Sequence, residues 1–213
     1  MKNLLFKKDH RFFERMLNND LVDFQDFLLQ KYKEIEDCKM LGITPLFHRG
    51  PDSESFLETK SISTIKWSEY NVFCLYHEGL HNLLKSIKEM VLEACEYYNL
   101  DFEMEQYYIQ GWFNIVEASK GKLDWHGHGE PGHGFHGYYC VKAEPSITHY
   151  NIFGEKVVDN HNIDNRVIMS EIGHDHAMGD WNWPGKRITV AFDVWPLRKV
   201  KGNTAENHYI PLI

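Results

Sequence analysis

The sequence lacks the features of a membrane protein and those of a disulfide-bonded or thiolate-metal protein. Its four cysteines, Cys38, Cys74, Cys95 and Cys140, lie far apart, and none of them forms a CxxC pair. No apolar run approaches the roughly 18 residues of a membrane span, and the apolar stretch at the N-terminus is too short for a signal peptide. These absences predict a cytoplasmic protein with reduced cysteines and no membrane partner.

Basic residues are outnumbered by acidic ones, with 23 lysines and arginines against 31 aspartates and glutamates. The formal net charge is −8 and the sequence pI is near 5.9, whereas a protein that binds nucleic acid usually presents a concentrated positive field. Nucleic acid is therefore not the expected partner, and a small-molecule or peptide substrate is. The aromatic content of 14 % argues against a disordered chain, and the length of 213 residues predicts a single domain over 1–213.

The first hundred residues have mainly helical periodicity. From Asp9 to about Ile35 the apolar residues recur at intervals of three and four. The run Asn18-Asn19-Asp20 is expected to divide this stretch into two helices, with Asp20 capping the second. Glu78 to Tyr98 carries its apolar residues on one face and is the clearest amphipathic helix in the sequence.

After about residue 100 the pattern changes to a period of two and to short apolar runs separated by turn residues. The predicted strands are Gln106 to Val116, Gly137 to Lys142, Ile147 to Phe153, Glu155 to Val158, Arg166 to Glu171 and Arg187 to Trp195. Helices followed by antiparallel strands predict an α+β fold. In this fold the helices of 1–100 buttress a β-sandwich or jelly roll formed by 101–213.

Histidine is abundant, and much of it lies in two clusters. One stretch combines four histidines and a carboxylate with glycines, namely His126, His128, Glu130, His133 and His136. A second cluster, Gly173-His174-Asp175-His176, follows downstream. Residues at i and i+2 of a strand or tight turn point the same way, so each cluster can present two ligands to one cavity. Nitrogen and oxygen ligands without cysteine favour iron, manganese or another first-row ion over structural zinc.

Two ligand sets are compatible with these clusters. The preferred set is His128, Glu130 and His176, because two histidines and one carboxylate form the facial triad of non-haem Fe(II) oxygenases. The alternative is a three-histidine site that uses His126 in place of Glu130. His174 competes with His176 for the downstream position, and the spacing to the following strand favours His176.

Arg187 adds a candidate anion site eleven residues after His176. It opens the β-branched run Ile188-Thr189-Val190, and its planar guanidinium can bind a carboxylate through two parallel hydrogen bonds. The hydroxyl of Thr189 belongs to the same face of a strand, because it lies two residues further on.

These motifs resemble the Fe(II)/2-oxoglutarate-dependent dioxygenase superfamily, in which HxD/E is followed by a distal histidine and then by Arg-x-Thr. The segments from His128 to Tyr139 and from Arg187 to Phe192 are similar in particular to small 2-oxoglutarate oxygenases found in phages and bacteria. A phage origin would place the protein in the host cytoplasm. The resemblance covers roughly 106–196, and the first hundred residues match no family in this way.

The resemblance implies a double-stranded β-helix, an Fe(II) ion and 2-oxoglutarate as co-substrate. It assigns the 2-oxoglutarate carboxylate to Arg187 and Thr189, and Tyr108 and Asn114 are further candidates for hydrogen bonds to the co-substrate. The expected reaction is hydroxylation of a substrate with release of succinate and CO2. The alternatives are a cupin-like three-histidine dioxygenase that needs no 2-oxoglutarate and a non-enzymatic, metal-stabilised jelly-roll binding module.

Overall fold

The computed structural model of the protein describes residues 11–40, 61–64, 70–117, 123–129, 133–152, 154–200 and 209–212. Its strands form two antiparallel sheets, one larger and one smaller. The strands are β1 (Phe13–Met16), β2 (Ser61–Ser63), β3 (Tyr107–Glu117), β4 (Leu123–His126), β5 (Phe135–Lys142), β6 (Ile147–Ile152), β7 (Lys156–His161), β8 (Arg166–Glu171), β9 (Asp175–Met178), β10 (Lys186–Pro196) and β11 (Ile210–Pro211).

The chain passes back and forth between the two sheets. The larger sheet has the order β1-β8-β5-β10-β3-β11, with β2 also paired to β3, and the smaller sheet has the order β4-β9-β6-β7. Consecutive strands from β3 to β10 therefore change sheet at almost every step. This arrangement is the double-stranded β-helix, and the predicted α+β fold with N-terminal helices is confirmed.

Two long helices cover the outer face of the larger sheet. Helix α1 (Leu21–Met40) begins after Asp20, whose carboxylate accepts hydrogen bonds from two backbone amides of the first turn. Helix α2 (Glu78–Tyr98) begins after His77, whose Nδ1 accepts from the amide of Gly79. Two one-turn α-helices, Phe102–Glu105 and Leu197–Val200, and a 3-10 helix, Val72–Cys74, are also present.

Alternate residues of the long strands point to opposite faces of the sheet, so each face has a different environment. On β10, Ile188, Val190, Phe192 and Val194 belong to the large apolar core that also contains the buried face of α2. The alternate residues of β10 point the other way, into the space between the two sheets. Polar side chains with little exposure are thereby carried into the interior of the β-helix.

The N-terminal part contains more strand than its periodicity predicts. Residues Phe13–Met16, which were expected to be helical, form strand β1 and pair with β8. The prediction was wrong because hydrogen bonds to a neighbouring strand stabilise four extended residues irrespective of their local apolar spacing. Strand β2 also joins the larger sheet, by pairing with β3.

Two strands of the smaller sheet were not predicted either. Strands β4 and β9 have four residues each and contain few alternating apolar residues. They form because they pair with each other, and β9 pairs also with β6. In the described part of the chain, no helix is long and apolar enough to cross a membrane.

Candidate active site

The pairing of β4 with β9 brings the two histidine clusters together. His126 and His176 are directly opposite each other in the register, and their ring centroids are 4.3 Å apart. The ring of His128, two residues further along, is 5.3 Å from His126 and 5.1 Å from His176. One ligand nitrogen from each of the three lies within 4.8 Å of the other two. Such a group can hold one metal ion.

The hydrogen bonds of His126 and His128 direct their remaining nitrogens. Nδ1 of His126 donates to the backbone carbonyl of Asp124 at 2.9 Å, and Nδ1 of His128 lies 3.0 Å from the carboxylate of Asp193. In both rings Nε2 is then the atom with the free lone pair, which is the state that a metal requires. Nε2 of His128 is buried and has no hydrogen-bond partner among the described residues. A buried nitrogen of this kind is costly unless a ligand satisfies it.

Glycine at position 127 allows the backbone between His126 and His128 to approach β9. A Cβ atom at this position would lie 2.7 Å from an oxygen of Asp175. Gly129 follows with φ of +122°, a conformation that side chains rarely adopt. Gly129 is therefore favoured by its backbone conformation, whereas a side chain at position 127 would require only the exposed side chain of Asp175 to move.

A buried carboxylate and a fourth histidine lie beside this group. Asp193 on β10 contacts Nδ1 of His136 on β5 at 2.8 Å, in addition to its contact with His128. The rings of His128 and His136 are stacked, with centroids 3.7 Å apart. Trp112 on β3 lies against both rings at 5.7 and 6.2 Å and forms a wall of the site.

Burial and the neighbouring imidazoles lower the pKa of three of these histidines, His126, His136 and His176. Burial first, and then the neighbouring imidazoles, hold the pKa of His176 well below its usual range. The same two causes lower the pKa of His136 to about 4. Burial alone would raise the pKa of Asp193, but the contacts with His128 and His136 outweigh it, and this pKa lies below its usual range. Neutral imidazoles beside an ionised carboxylate are suited to a cation.

These shifts predict that the metal-free protein loses stability in mild acid. An unfolded chain binds a proton at His136 below its ordinary pKa of 6.5, whereas the folded chain binds it only below about 4. Stability is therefore fully present above pH 6.5 and falls as the pH decreases towards 4, by about 3 kcal/mol from His136 alone. Urea unfolding of chelator-treated protein at a series of pH values measures this. The loss should be smaller in His136→Asn, and an equal loss in both proteins would contradict the prediction.

Arg187 is buried at the start of β10 and points into the same interior. Its exposed fraction is 6 %, and it forms no ion pair with a carboxylate among the described residues. Burial lowers the pKa of its guanidinium. The nearby side chains of Cys140, Tyr138 and Tyr150 have the opposite, smaller effect on this pKa. Tyr150 also lies 5.6 Å from the ring of His176, so one tyrosine adjoins both the histidine group and the arginine. A buried cation without a carboxylate partner is expected to bind an anion.

A hydroxyl and amide network fixes the orientation of this arginine. Nε of Arg187 donates to Oγ of Ser146 at 3.0 Å, and Ser146 in turn donates to the carbonyl of Ala143. Asn162 donates to the same serine oxygen and accepts from the hydroxyl of Tyr138 at 2.8 Å. Among the described residues, the two terminal nitrogens of Arg187 have no acceptor. They form the edge of the guanidinium that can bind a carboxylate bidentately.

The residues predicted to contact the co-substrate lie at different positions along β10 and β3. Thr189 is buried on the same strand face as Arg187, and Asn114 is its partner in the register between β10 and β3. Tyr108 is paired with Trp195, eight residues beyond Arg187 along β10. At about 3.3 Å per residue this places Tyr108 near the opposite end of the strand, away from the arginine.

The remaining predicted ligands have different positions. Glu130 lies outside the described residues. His174 is buried, and its Nε2 is 3.1 Å from the hydroxyl of Ser170. It belongs neither to the group of His126, His128 and His176 nor to the second group of the described residues that could hold an ion, which is His128, His136 and Asp193.

Sequence reasoning missed Asp193 as a site residue. The signal was present, because Asp193 is a charged residue within the apolar run of β10 and lies an even number of positions from Arg187. Residues at even spacing on a strand share a face. His136 was part of the histidine cluster but was not assigned a role, and Ser146 and Asn162 carry no recognisable motif.

Solved structures with a similar fold include several Fe(II)/2-oxoglutarate-dependent oxygenases. A Trichoplax adhaerens prolyl hydroxylase, in complex with a hypoxia inducible factor peptide fragment, aligns with a TM-score of 0.60 and 10 % identity, over 95 % of this chain and 90 % of its own. A Pseudomonas putida prolyl-4-hydroxylase aligns with a TM-score of 0.54 and 8 % identity, over 90 % of this chain and 95 % of its own.

HygX from Streptomyces hygroscopicus, determined with nickel, 2-oxoglutarate and hygromycin B bound, gives a TM-score of 0.54 at 9 % identity. The alignment covers 91 % of this chain and 85 % of that chain. No family model matches the sequence, and no curated protein does either.

The protein therefore has the fold of the Fe(II)/2-oxoglutarate-dependent oxygenases over most of its length. At these low identities the likeness establishes the fold alone. It confirms the resemblance that the sequence motifs suggested, at the level of architecture. The three structures are from two bacteria and an animal, so the expected kinship with phage enzymes stays a prediction.

Proposed function

We propose that this protein is a non-haem Fe(II)- and 2-oxoglutarate-dependent oxygenase that hydroxylates a small-molecule or peptide substrate. The proposal is based on two features that lie together between the two sheets. One is a group of three histidines whose ligand nitrogens lie close together, and the other is a buried arginine without a carboxylate partner among the described residues. The first feature suits a divalent metal, and the second suits the far carboxylate of a dicarboxylate bound to that metal.

We assign the metal to His126, His128 and His176. The residues fit a metal because both His126 and His128 donate through Nδ1, and because Nε2 of His128 is buried without a partner. Three protein ligands leave further coordination positions for a bidentate co-substrate and O2. When bound, iron supplies the redox chemistry that couples O2 and 2-oxoglutarate to hydroxylation, with succinate and CO2 as products.

The residues of this chain bind and orient the reactants. Arg187 binds the far carboxylate of 2-oxoglutarate through its terminal nitrogens, while Ser146 holds Nε and so fixes the plane of the guanidinium. Thr189 is two residues after Arg187 on the same face of β10, and its hydroxyl can donate a hydrogen bond to the same carboxylate. Trp112 covers one side of the histidines and limits access of water.

One observation favours a second candidate, the three-histidine dioxygenase that uses no 2-oxoglutarate. All three assigned ligands are histidines, and this set lacks the carboxylate of the usual oxygenase triad. The reason for preferring the 2-oxoglutarate enzyme is the buried Arg187, which has no carboxylate partner among the described residues. A non-enzymatic module would have no need of an anion site beside its metal.

The decisive experiment measures co-substrate binding and turnover. Addition of 2-oxoglutarate to the anaerobic Fe(II) protein should produce a metal-to-ligand charge-transfer band, and admission of O2 should release succinate even without substrate. A protein that binds Fe(II) but gives neither signal would favour the three-histidine dioxygenase or the binding module. If succinate is released, a panel of peptides and metabolites that increase its rate would identify the substrate class.

A further inference from the structure

Asp193 is not one of the proposed metal ligands, but its carboxylate contacts two histidines of the site. Its Oδ2 lies 3.0 Å from Nδ1 of His128, and its Oδ1 lies 2.8 Å from Nδ1 of His136. The residue is 8 % exposed and is directly opposite His136 in the register of β10 and β5. Both carboxylate oxygens are therefore used by imidazoles in a buried environment.

These contacts determine the tautomers of both rings. An ionised carboxylate only accepts hydrogen bonds, so each Nδ1 must carry its proton and donate it. Nε2 of His128 is then fixed as a lone-pair donor, and it is the buried nitrogen without a partner among the described residues. A carboxylate behind a metal-binding histidine also increases the electron density that the imidazole offers to the ion.

The charge of the site gives Asp193 a second role. Three histidine ligands bring no negative charge to a divalent ion, whereas a ligand carboxylate would neutralise part of its charge. Among the described residues, Asp193 is the carboxylate in hydrogen-bond contact with a proposed ligand ring. Its negative charge lies one imidazole away from the metal position.

Building on the proposed metal site, we propose that Asp193 is a positioning residue that fixes the Nδ1-protonated tautomer of His128 and supplies the negative charge that a three-histidine centre lacks. His136 donates a hydrogen bond to the other oxygen of Asp193, and its ring stacks on that of His128 with centroids 3.7 Å apart. These two contacts hold the carboxylate and the ring of His128 in a fixed arrangement. His128, His136 and Asp193 are themselves a second group whose ligand atoms lie within 4.8 Å of one another and could hold an ion. Their separations of 3.0 and 2.8 Å are those of hydrogen bonds, and we assign them as such.

Asp193→Asn tests the proposal through metal binding. The amide oxygen can accept a hydrogen bond from one histidine, but the NH2 group faces the other. One of the two rings, His128 or His136, therefore loses the contact that fixes its tautomer. Affinity for Co(II), followed by its visible absorption under anaerobic conditions, should fall about 10- to 100-fold. The Fe(III)/Fe(II) potential should move in the positive direction, because the reduced ion requires less negative charge nearby.

The matched control is Asp175→Asn. Asp175 is exposed and is adjacent to His176 in sequence, and its side chain makes no hydrogen bond to a histidine among the described residues. The control removes the same charge and should change Co(II) affinity by less than about threefold, as expected for a screened surface charge. Equal affinities of Asp193→Asn and wild type would overturn the proposal, and so would equal losses in the two variants.

A measurement on the wild-type protein avoids any folding defect of the variant. In the Zn(II)-loaded protein, long-range 1H–15N spectra should show His128 and His136 protonated at Nδ1. A deprotonated Nδ1 on both rings would instead show the ion bound between them and Asp193, and would overturn the proposal. Failure of the wild type to bind Zn(II) or Co(II) would remove the proposed function, whereas tight binding with the wrong tautomer would remove only the role of Asp193.

Discussion

His176→Ala is expected to weaken Co(II) binding by about two to three decades, since a metal site of this kind derives roughly 3–4 kcal/mol from each ligand. His176 is buried, and it is the partner of His126 in the pairing of the two strands. Its removal leaves two nitrogens in the group and no other ligand from β9. Anaerobic Co(II) titration followed by visible absorption measures the change.

The same titration discriminates between the two ligand sets. If the proposed set of three histidines is correct, His126→Ala should cause a loss similar to that of His176→Ala, and Glu130→Ala should change the affinity by less than about threefold. The opposite pattern would establish the ligand set with Glu130. His174→Ala is the matched control, because it removes a neighbouring buried histidine that bonds to Ser170 instead of joining the group. Thermal unfolding of each metal-free variant shows whether the fold is kept.

Arg187→Ala is expected to lower the affinity for 2-oxoglutarate by about one to three decades while leaving Co(II) affinity unchanged. The physical reason is the loss of a bidentate charge-assisted contact with a carboxylate, which costs roughly 2–5 kcal/mol in a partly or fully buried place. Arg187→Lys should restore only part of the affinity, because a point charge does not reproduce the planar fork. Titration of 2-oxoglutarate into the anaerobic Fe(II) protein, followed by the charge-transfer band, gives the dissociation constants.

Arg166→Ala serves as the control for this experiment. Arg166 is the first residue of β8, and Arg187 is the second residue of β10. Unlike those of Arg187, the terminal nitrogens of Arg166 have side-chain oxygen acceptors among the described residues, in Glu14 and Asn160. Its loss should affect the free energy of unfolding and not the binding of 2-oxoglutarate. An unchanged affinity in Arg187→Ala would remove this residue from the co-substrate site and would favour the dioxygenase that uses no 2-oxoglutarate.

Much of the sheet could be predicted because its long strands are locally encoded. In β10 the apolar residues Ile188, Val190 and Phe192 alternate with Arg187 and Thr189, and this period of two defines both the strand and its two faces. The amphipathic pattern of α2 was equally local. Strands β4 and β9 were not encoded in this way, since four residues with a histidine among them give no clear period.

The sequence by itself determined the kinds of side chain available to the site. It supplied an excess of histidines in two glycine-containing clusters, an arginine at the start of a β-branched strand and the spacing between them. From these a candidate metal site could be inferred, and the change from helical to strand periodicity after residue 100 indicated the fold class. It left open which histidines would act together, because period and spacing report the face on which a residue lies and not what is opposite it.

Only the tertiary structure decided the composition of the group. The antiparallel register places His126 opposite His176, although the two are fifty residues apart in the chain. The neighbouring pairing of β10 with β5 places Asp193 opposite His136 and within reach of His128. Contacts of this kind depend on ladders formed between distant segments, and a one-residue change of register would turn each of these side chains to the other face of its sheet.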